Sequence, residues 1–178
     1  SLALDDPRQL ARFDLVRLGL VVGADDGSGL PYSERHLAEF ERRHCDDRFW
    51  SETPPGPSTR YPVSGQALVV VGCAPQPFFV DPDVGVLGRF RHQHFLIYLV
   101  AHFHRAALLM PSDRLVHALN ALDIRDPASI KRFKRVIRGL FEVFVRFTHR
   151  YGFHDIADQP QAKSLFRRTA QHLETDRL

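Results

Sequence analysis

Cysteine is scarce in this chain, and methionine and tryptophan occur once each. Each scarcity removes a class of protein. Cys45 and Cys73 fit no metal-ligand spacing and could form at most one bridge, so neither a zinc framework nor a disulfide scaffold is predicted. They read as small buried thiols. A membrane-spanning helix needs about 20 nearly uncharged apolar residues. The closest stretch, residues 95–110, is interrupted by His102, His104 and Arg105 and is predicted to be a buried helix rather than a span. Asp5, Asp6 and Asp14 break any leader-like run at the N-terminus. No G-x-S-x-G, H-E-x-x-H, Walker A or G-x-G-x-x-G pattern occurs. No catalytic residue is predicted, and the chain is not expected to be an enzyme.

What is present fits one folded domain. The length of 178 residues suits a single core, and 44% hydrophobic with 25% charged residues excludes wholesale disorder. The net charge of +3 hides an asymmetry: residues 1–90 carry −4 and residues 91–178 carry +7. The second half is therefore the half suited to an anionic partner.

Patterning predicts an α/β (α+β) fold, with a small mixed or antiparallel sheet of three to four strands covered by several long helices. Residues 1–83 form the sheet-containing half and residues 84–178 the helical half of one domain. The apolar run 13–22 reads as a strand, closed by a polar loop over residues 23–29. Ser33 is placed to cap a helix running to about Trp50, with Leu37, Phe40, His44 and Phe49 on one side. Pro54, Pro55 and Pro57 exclude regular structure over residues 53–58. Residues 60–64 and 66–72 flank Gly65 as a strand pair or one kinked strand, and residues 67–71 are apolar enough to be buried on both faces. Residues 78–80 read as a further short strand.

Helices follow from near Val84. Apolar groups surround the segment 95–110, and Pro111 with Ser112 is predicted to end it, Ser112 capping a short helix to about Leu122. Asp126-Pro127 supplies an N-cap and first-turn pair for a helix over residues 127–150. That helix has two faces. Phe133, Val136, Ile137, Leu140, Phe141, Phe144 and Phe147 share one, predicted to pack on the core. Lys131, Lys134, Arg135, Arg138, Arg146 and Arg150 share the other, with Glu142 its only carboxylate. A last helix starts around residues 158–161 and is predicted to be still running where the sequence stops, because no Gly, Asn or Pro closes it.

Ten histidines raise the question of a metal site, above all His92, His94, His102 and His104. On one helix these share no face at the three- or four-residue spacing that helical sites use, so partners such as His149 or His154 would be needed. Buried, hydrogen-bonded rings are the plainer reading. The pairs Asp5-Asp6, Asp25-Asp26 and Asp46-Asp47 do not converge on a point, and Asp81-Pro82-Asp83 reads as a turn. The anion or partner surface is assigned to Lys131, Arg135, Arg138, Arg146 and Arg150. Nucleic acid is not the expected partner, since the aromatics lie on the opposite face of that helix.

A set of short segments carries a resemblance. In the first half these are residues 30–35 (Leu-Pro-Tyr-Ser-Glu-Arg), 40–45 (Phe-Glu-Arg-Arg-His-Cys), 47–50 (Asp-Arg-Phe-Trp) and 59–61 (Thr-Arg-Tyr), with Ser64-Gly65. The second half adds residues 90–92 (Phe-Arg-His), 101–103 (Ala-His-Phe), 105–109 (Arg-Ala-Ala-Leu-Leu), 112–115 (Ser-Asp-Arg-Leu), 147–151 (Phe-Thr-His-Arg-Tyr) and 159–161 (Gln-Pro-Gln). Together they resemble the cytosolic part of bacterial membrane proteins related to the CorA-type magnesium and divalent-cation transporters. The resemblance implies a regulatory or sensing domain on the cytoplasmic side of the inner membrane. It further implies a stalk helix and two transmembrane helices after this domain, a homo-pentamer, and a divalent cation such as magnesium as the ligand or cargo. The family's Gly-Met-Asn pore motif is not among these residues, whose one methionine is Met110. No carboxylate here is assigned to its regulatory cation sites. The alternative is a free-standing module that binds an anion or partner protein through the basic face of residues 127–150.

Overall fold

The computed structural model describes residues 1–23, 32–151 and 158–175. The predicted loop over residues 23–29 falls almost wholly outside that range, as do Asp25-Asp26, His154 and the side chain of Arg150. The fold class is as predicted: a four-stranded mixed sheet with helices around it.

Its strands are β1 (Leu2–Leu4), β2 (Cys45–Trp50), β3 (Ser58–Pro62) and β4 (Val71–Cys73), in the order β1-β4-β3-β2. β1 runs parallel to β4, with Leu2 opposite Val71, and the other pairings are antiparallel. β3 and β4 are the expected strand pair around Gly65. The turn between them is held by the Ser64 hydroxyl, which accepts from the amides of Gln66 (3.0 Å) and Ala67 (2.9 Å). Burial on both faces also holds: Val70 packs with Tyr61, Val63, Phe79 and Leu165, while Val71 packs with Leu15 and Cys45 on the other side.

Two helices cover the Val71 side of the structure, and both correct the sequence reading. Residues 13–22 are not a strand but the body of α1 (Arg12–Leu20). Its buried residues Leu15, Val16 and Gly19 follow helical spacing, so the strand-like apolar density was one helical face seen edge-on. Gly19 is required there, because a Cβ would stand 2.7 Å from the ring of Phe40. Phe40 belongs to α2 (Glu34–His44), whose N-terminus is capped by Ser33 as predicted, the hydroxyl accepting from His36 at 3.3 Å.

The helix stops at His44 instead of reaching Trp50, and Cys45 turns into β2. The reason is tertiary. Arg60 of β3 donates to both carboxylate oxygens of Asp47 (2.7 and 2.9 Å) and lies over the Trp50 ring at 5.1 Å. Ladder bonds and this clamp outweigh the local helical pattern. Burial pulls the Arg60 pKa down, but its bonds to Asp47 with the Asp47 and Glu41 charges more than offset that, and the guanidinium stays charged.

Residues 78–80, read as a strand, lie instead in the short helix α3 (Pro77–Val80), with Pro77 fixed in its first turn. Phe79 closes over Gly72 so tightly that a Cβ on Gly72 would lie 2.0 Å from its ring. A turn at α4 (Val86–Arg89) and a π-helical turn over Phe90–His94 lead into α5 (Phe95–Asn120). Pro111 does not end α5, which continues to Asn120. The following helix, α6 (Pro127–Tyr151), returns antiparallel along it, with Phe147 reaching Phe103 at 6.2 Å. This second helix supports α5 on both sides of the proline. Asp126 caps α6 as predicted, accepting from the amides of Ala128 (2.9 Å) and Ser129 (3.0 Å).

The last helix, α7 (Pro160–His172), begins where expected and packs Leu165 against the sheet and Ala162, Phe166 and Leu173 against α5. It does not run on. Glu174 takes a left-handed conformation (φ 57°), the Glu174 amide donates to Gln171 O (3.1 Å) and the Thr175 amide to Ala170 O (2.9 Å). These are the two bonds of a Schellman closure, formed here without glycine.

Candidate functional site

The feature that stands apart from an ordinary core is the α5–α6 hairpin. Segment 95–110 was expected to be buried; of all α5, only Ile97 and Ala101 are. Phe95, Leu96, Leu99, Phe103, Leu109 and Val116 are each more than half exposed. The cause is geometric: apolar groups ring the helix, but α7 and α6 occupy only two of its sides. By length and composition alone, Val86–Asn120 would suffice to cross a membrane, and only 11% of its apolar window is buried. Its first turns are nevertheless built into the domain, since His94, Ile97 and Ala101 sit in the core.

α6 carries the predicted basic residues. Its apolar face packs on α5, and none of its residues joins the buried core clusters, a further correction. Phe133, Ile137, Leu140, Phe144 and Phe147 are half-buried there, while Phe141 is 67% exposed. Lys131, Arg135, Arg138 and Arg146 share the opposite, exposed face. Arg146 is paired with Glu142 at 2.7 Å, whereas Lys131, Lys134, Arg135 and Arg138 have no ion pair among the described residues. Between Arg138, Glu142 and Arg146 lies an open groove of about 460 Å³ with Phe141 and Val145 along its floor. The hairpin thus offers apolar and cationic groups side by side, the composition of helices that dock on surfaces of mixed character. Its tip is set by Ser129, whose hydroxyl accepts from the Asp123 amide at 2.9 Å, and Ile124 there is 78% exposed.

The histidines separate as their helical spacing foretold. His92 is exposed. His94 is buried edge-on to Tyr61 (5.5 Å), and burial lowers its pKa to about 4, so it is neutral. His104 lies edge-on to Phe147 and Phe166. His102 faces two carbonyl oxygens, Tyr98 O at 2.9 Å and Gly65 O at 3.1 Å. Among the described residues, no three His, Cys, Asp or Glu side chains gather into a possible metal site. No chemical step is assigned to the expected divalent cation.

The structure does bring together two histidines that sequence spacing did not connect. His44, at the end of α2, stacks on Phe40 (4.2 Å) and on His172 of α7 (4.3 Å). Burial and mutual charge lower the pKa of His44, and burial lowers that of His172. With Gly65, His102 and Arg105 they border a cleft of about 360 Å³. The only sequence signal was the place of His44 on the apolar side of its helix.

The carboxylate pairs are structural where described. Asp46 is buried and accepts from Ser164, and Asp47 belongs to Arg60. Asp6 caps a helical turn over Pro7–Gln9. Asp81 accepts from the amides of Asp83 and Val84, which holds its pKa below the usual carboxylate range and makes 81–83 the expected turn. Comparison with protein-family models, curated proteins and solved structures finds no match to this chain.

Proposed function

We propose that this chain is a sensing and assembly domain, not a catalyst, of a bacterial inner-membrane protein similar to the CorA-type divalent-cation transporters. The α5–α6 hairpin is its contact surface. One observation carries the reading: a 26-residue helix, α5, keeps only two residues buried and leaves a row of Phe and Leu side chains in water. Covering a half-exposed Leu or Phe yields about 1 kcal/mol, so a row of them rewards a partner by several kcal/mol.

Neighbouring copies of the same chain are the proposed cover. The charge split favours that choice, because an acidic residues 1–90 region and a basic residues 91–178 region can complement each other between copies. The sequence resemblance to a pentameric family points the same way. The closed end of α7 removes the continuing helix as support for a stalk, so the reading stands on the hairpin and the resemblance.

The test is fractionation of the product of the whole gene that encodes these residues. The expected product resists alkaline carbonate extraction of membranes and migrates as a homo-oligomer in mild detergent. A product fully released as a soluble monomer overturns the proposal.

A further inference from the structure

A second charged surface lies on α7, away from the basic stripe of α6. Lys163, Arg167 and Gln171 recur at four-residue intervals and form one line along that helix, with Ser164 and Arg168 beside it. Arg48 of β2 faces the same space. Together these side chains border an open cleft of about 500 Å³. No lining residue is acidic.

The nearest carboxylate is already committed. Asp46 is 4% exposed, accepts from the Ser164 hydroxyl through Oδ2 and from the Arg48 amide through Oδ1 (3.3 Å). It holds Ser164, which lines the cleft, and forms no ion pair with Arg48 or Arg167 among the described residues. Arg168 is fixed as well: its Nη1 donates to the carbonyls of Arg42 (3.3 Å) and Arg43 (3.1 Å) at the end of α2. Arg48 and Arg167 are exposed and have no ion pair among the described residues. Two anchored groups and two unpaired guanidinium groups thus converge on one space.

We propose that this cleft binds a small phosphate-bearing polyanion, of the diphosphate type. Planar guanidinium forks match phosphate oxygens two at a time, and a cluster of like charges relaxes when a multivalent anion sits among them. The volume suits a small ligand. No aromatic ring lines the cleft, so recognition falls on the phosphates rather than on a stacked base. The inference goes beyond the membrane-protein reading and is independent of it, since none of its residues lies on α5 or α6.

The test is titration calorimetry on the full chain at low salt with sodium pyrophosphate. A parallel arm uses vesicles with and without phosphatidate, which presents phosphate as a lipid headgroup. The expected result is one site per chain. Arg48→Gln with Arg167→Gln should weaken it at least tenfold, and Arg35→Gln with Arg91→Gln, exposed positions outside both the cleft and the hairpin, should leave it unchanged. Both pairs are exposed, and an unaltered melting temperature certifies that each variant folds. Saturable pyrophosphate binding supports a free anion as ligand, and binding only to phosphatidate vesicles, with the same variant pattern, assigns the phosphate to a lipid. Binding of neither probe overturns the proposal, as does equal weakening by the Arg35 and Arg91 pair.

Discussion

Val21 and Glu174 are the two non-glycine residues given a positive φ, 56° and 57°, among the described positions. Each ends a helix in the left-handed conformation that glycine adopts at no steric cost. Val21 is the more strained because its side chain is β-branched, and at 66% exposure it returns little from packing. Val21→Gly is therefore expected to stabilise the fold by about 1 kcal/mol, the relief of left-handed strain less the entropy glycine brings to the unfolded chain. Urea denaturation measures it, and a loss of stability would contradict the strain assignment. Glu174 shows why α7 ends where the sequence predicts it to run on. A Schellman closure was sought through Gly or Asn, but backbone hydrogen bonds and the packing of Leu173 against α5 hold Glu174 in place without either.

At the scale of elements, the errors share one cause. Asp126-Pro127, Ser33 and Pro160 were legible because a cap is a local event within four residues. β2 was not, because Cys45–Trp50 is a strand only opposite β3 and under the clamp of Arg60. Arg60→Met should show this: it leaves Asp47 and the partly buried Glu41 without their shared cation and is expected to cost about 3 kcal/mol. Exchange of the β2 amides should rise ahead of those of α7 in a hydrogen-exchange experiment. If β2 stayed as protected as α7, the clamp would not be what keeps it a strand. Pro111 is the converse case, where a breaker is overridden because α6 supports α5 beyond it. In α6 itself both faces were legible from periodicity. What covers its apolar face was not, since periodicity marks a side and not a neighbour.

For the whole molecule, the buried histidines set the pH response. His94 is neutral in the fold, with a pKa lowered to about 4 from 6.5, and His44 and His172 are lowered in the same direction. The unfolded chain therefore takes up more protons than the fold between pH 6.5 and 4, and stability falls as pH falls through that window. His94 alone should contribute about 3 kcal/mol to the loss. Denaturation midpoints measured from pH 7.5 to 4.5 should decline, and His94→Phe should flatten the decline. An unchanged slope in that variant would show that His94 does not govern the response.

The sequence by itself determined the α/β class, the caps at Ser33 and Asp126, the two faces of α6 and the separate directions of His92, His94, His102 and His104. All of these follow from short-range periodicity and side-chain chemistry. The tertiary structure decided which apolar segments became strands, where α2 and α5 ended, and that α5 stays uncovered. It also decided that Arg48 meets the cations of α7 and that His44 meets His172. Those outcomes depend on groups far apart in the chain, and a pattern of residues records which side is apolar or charged without recording what is brought against it.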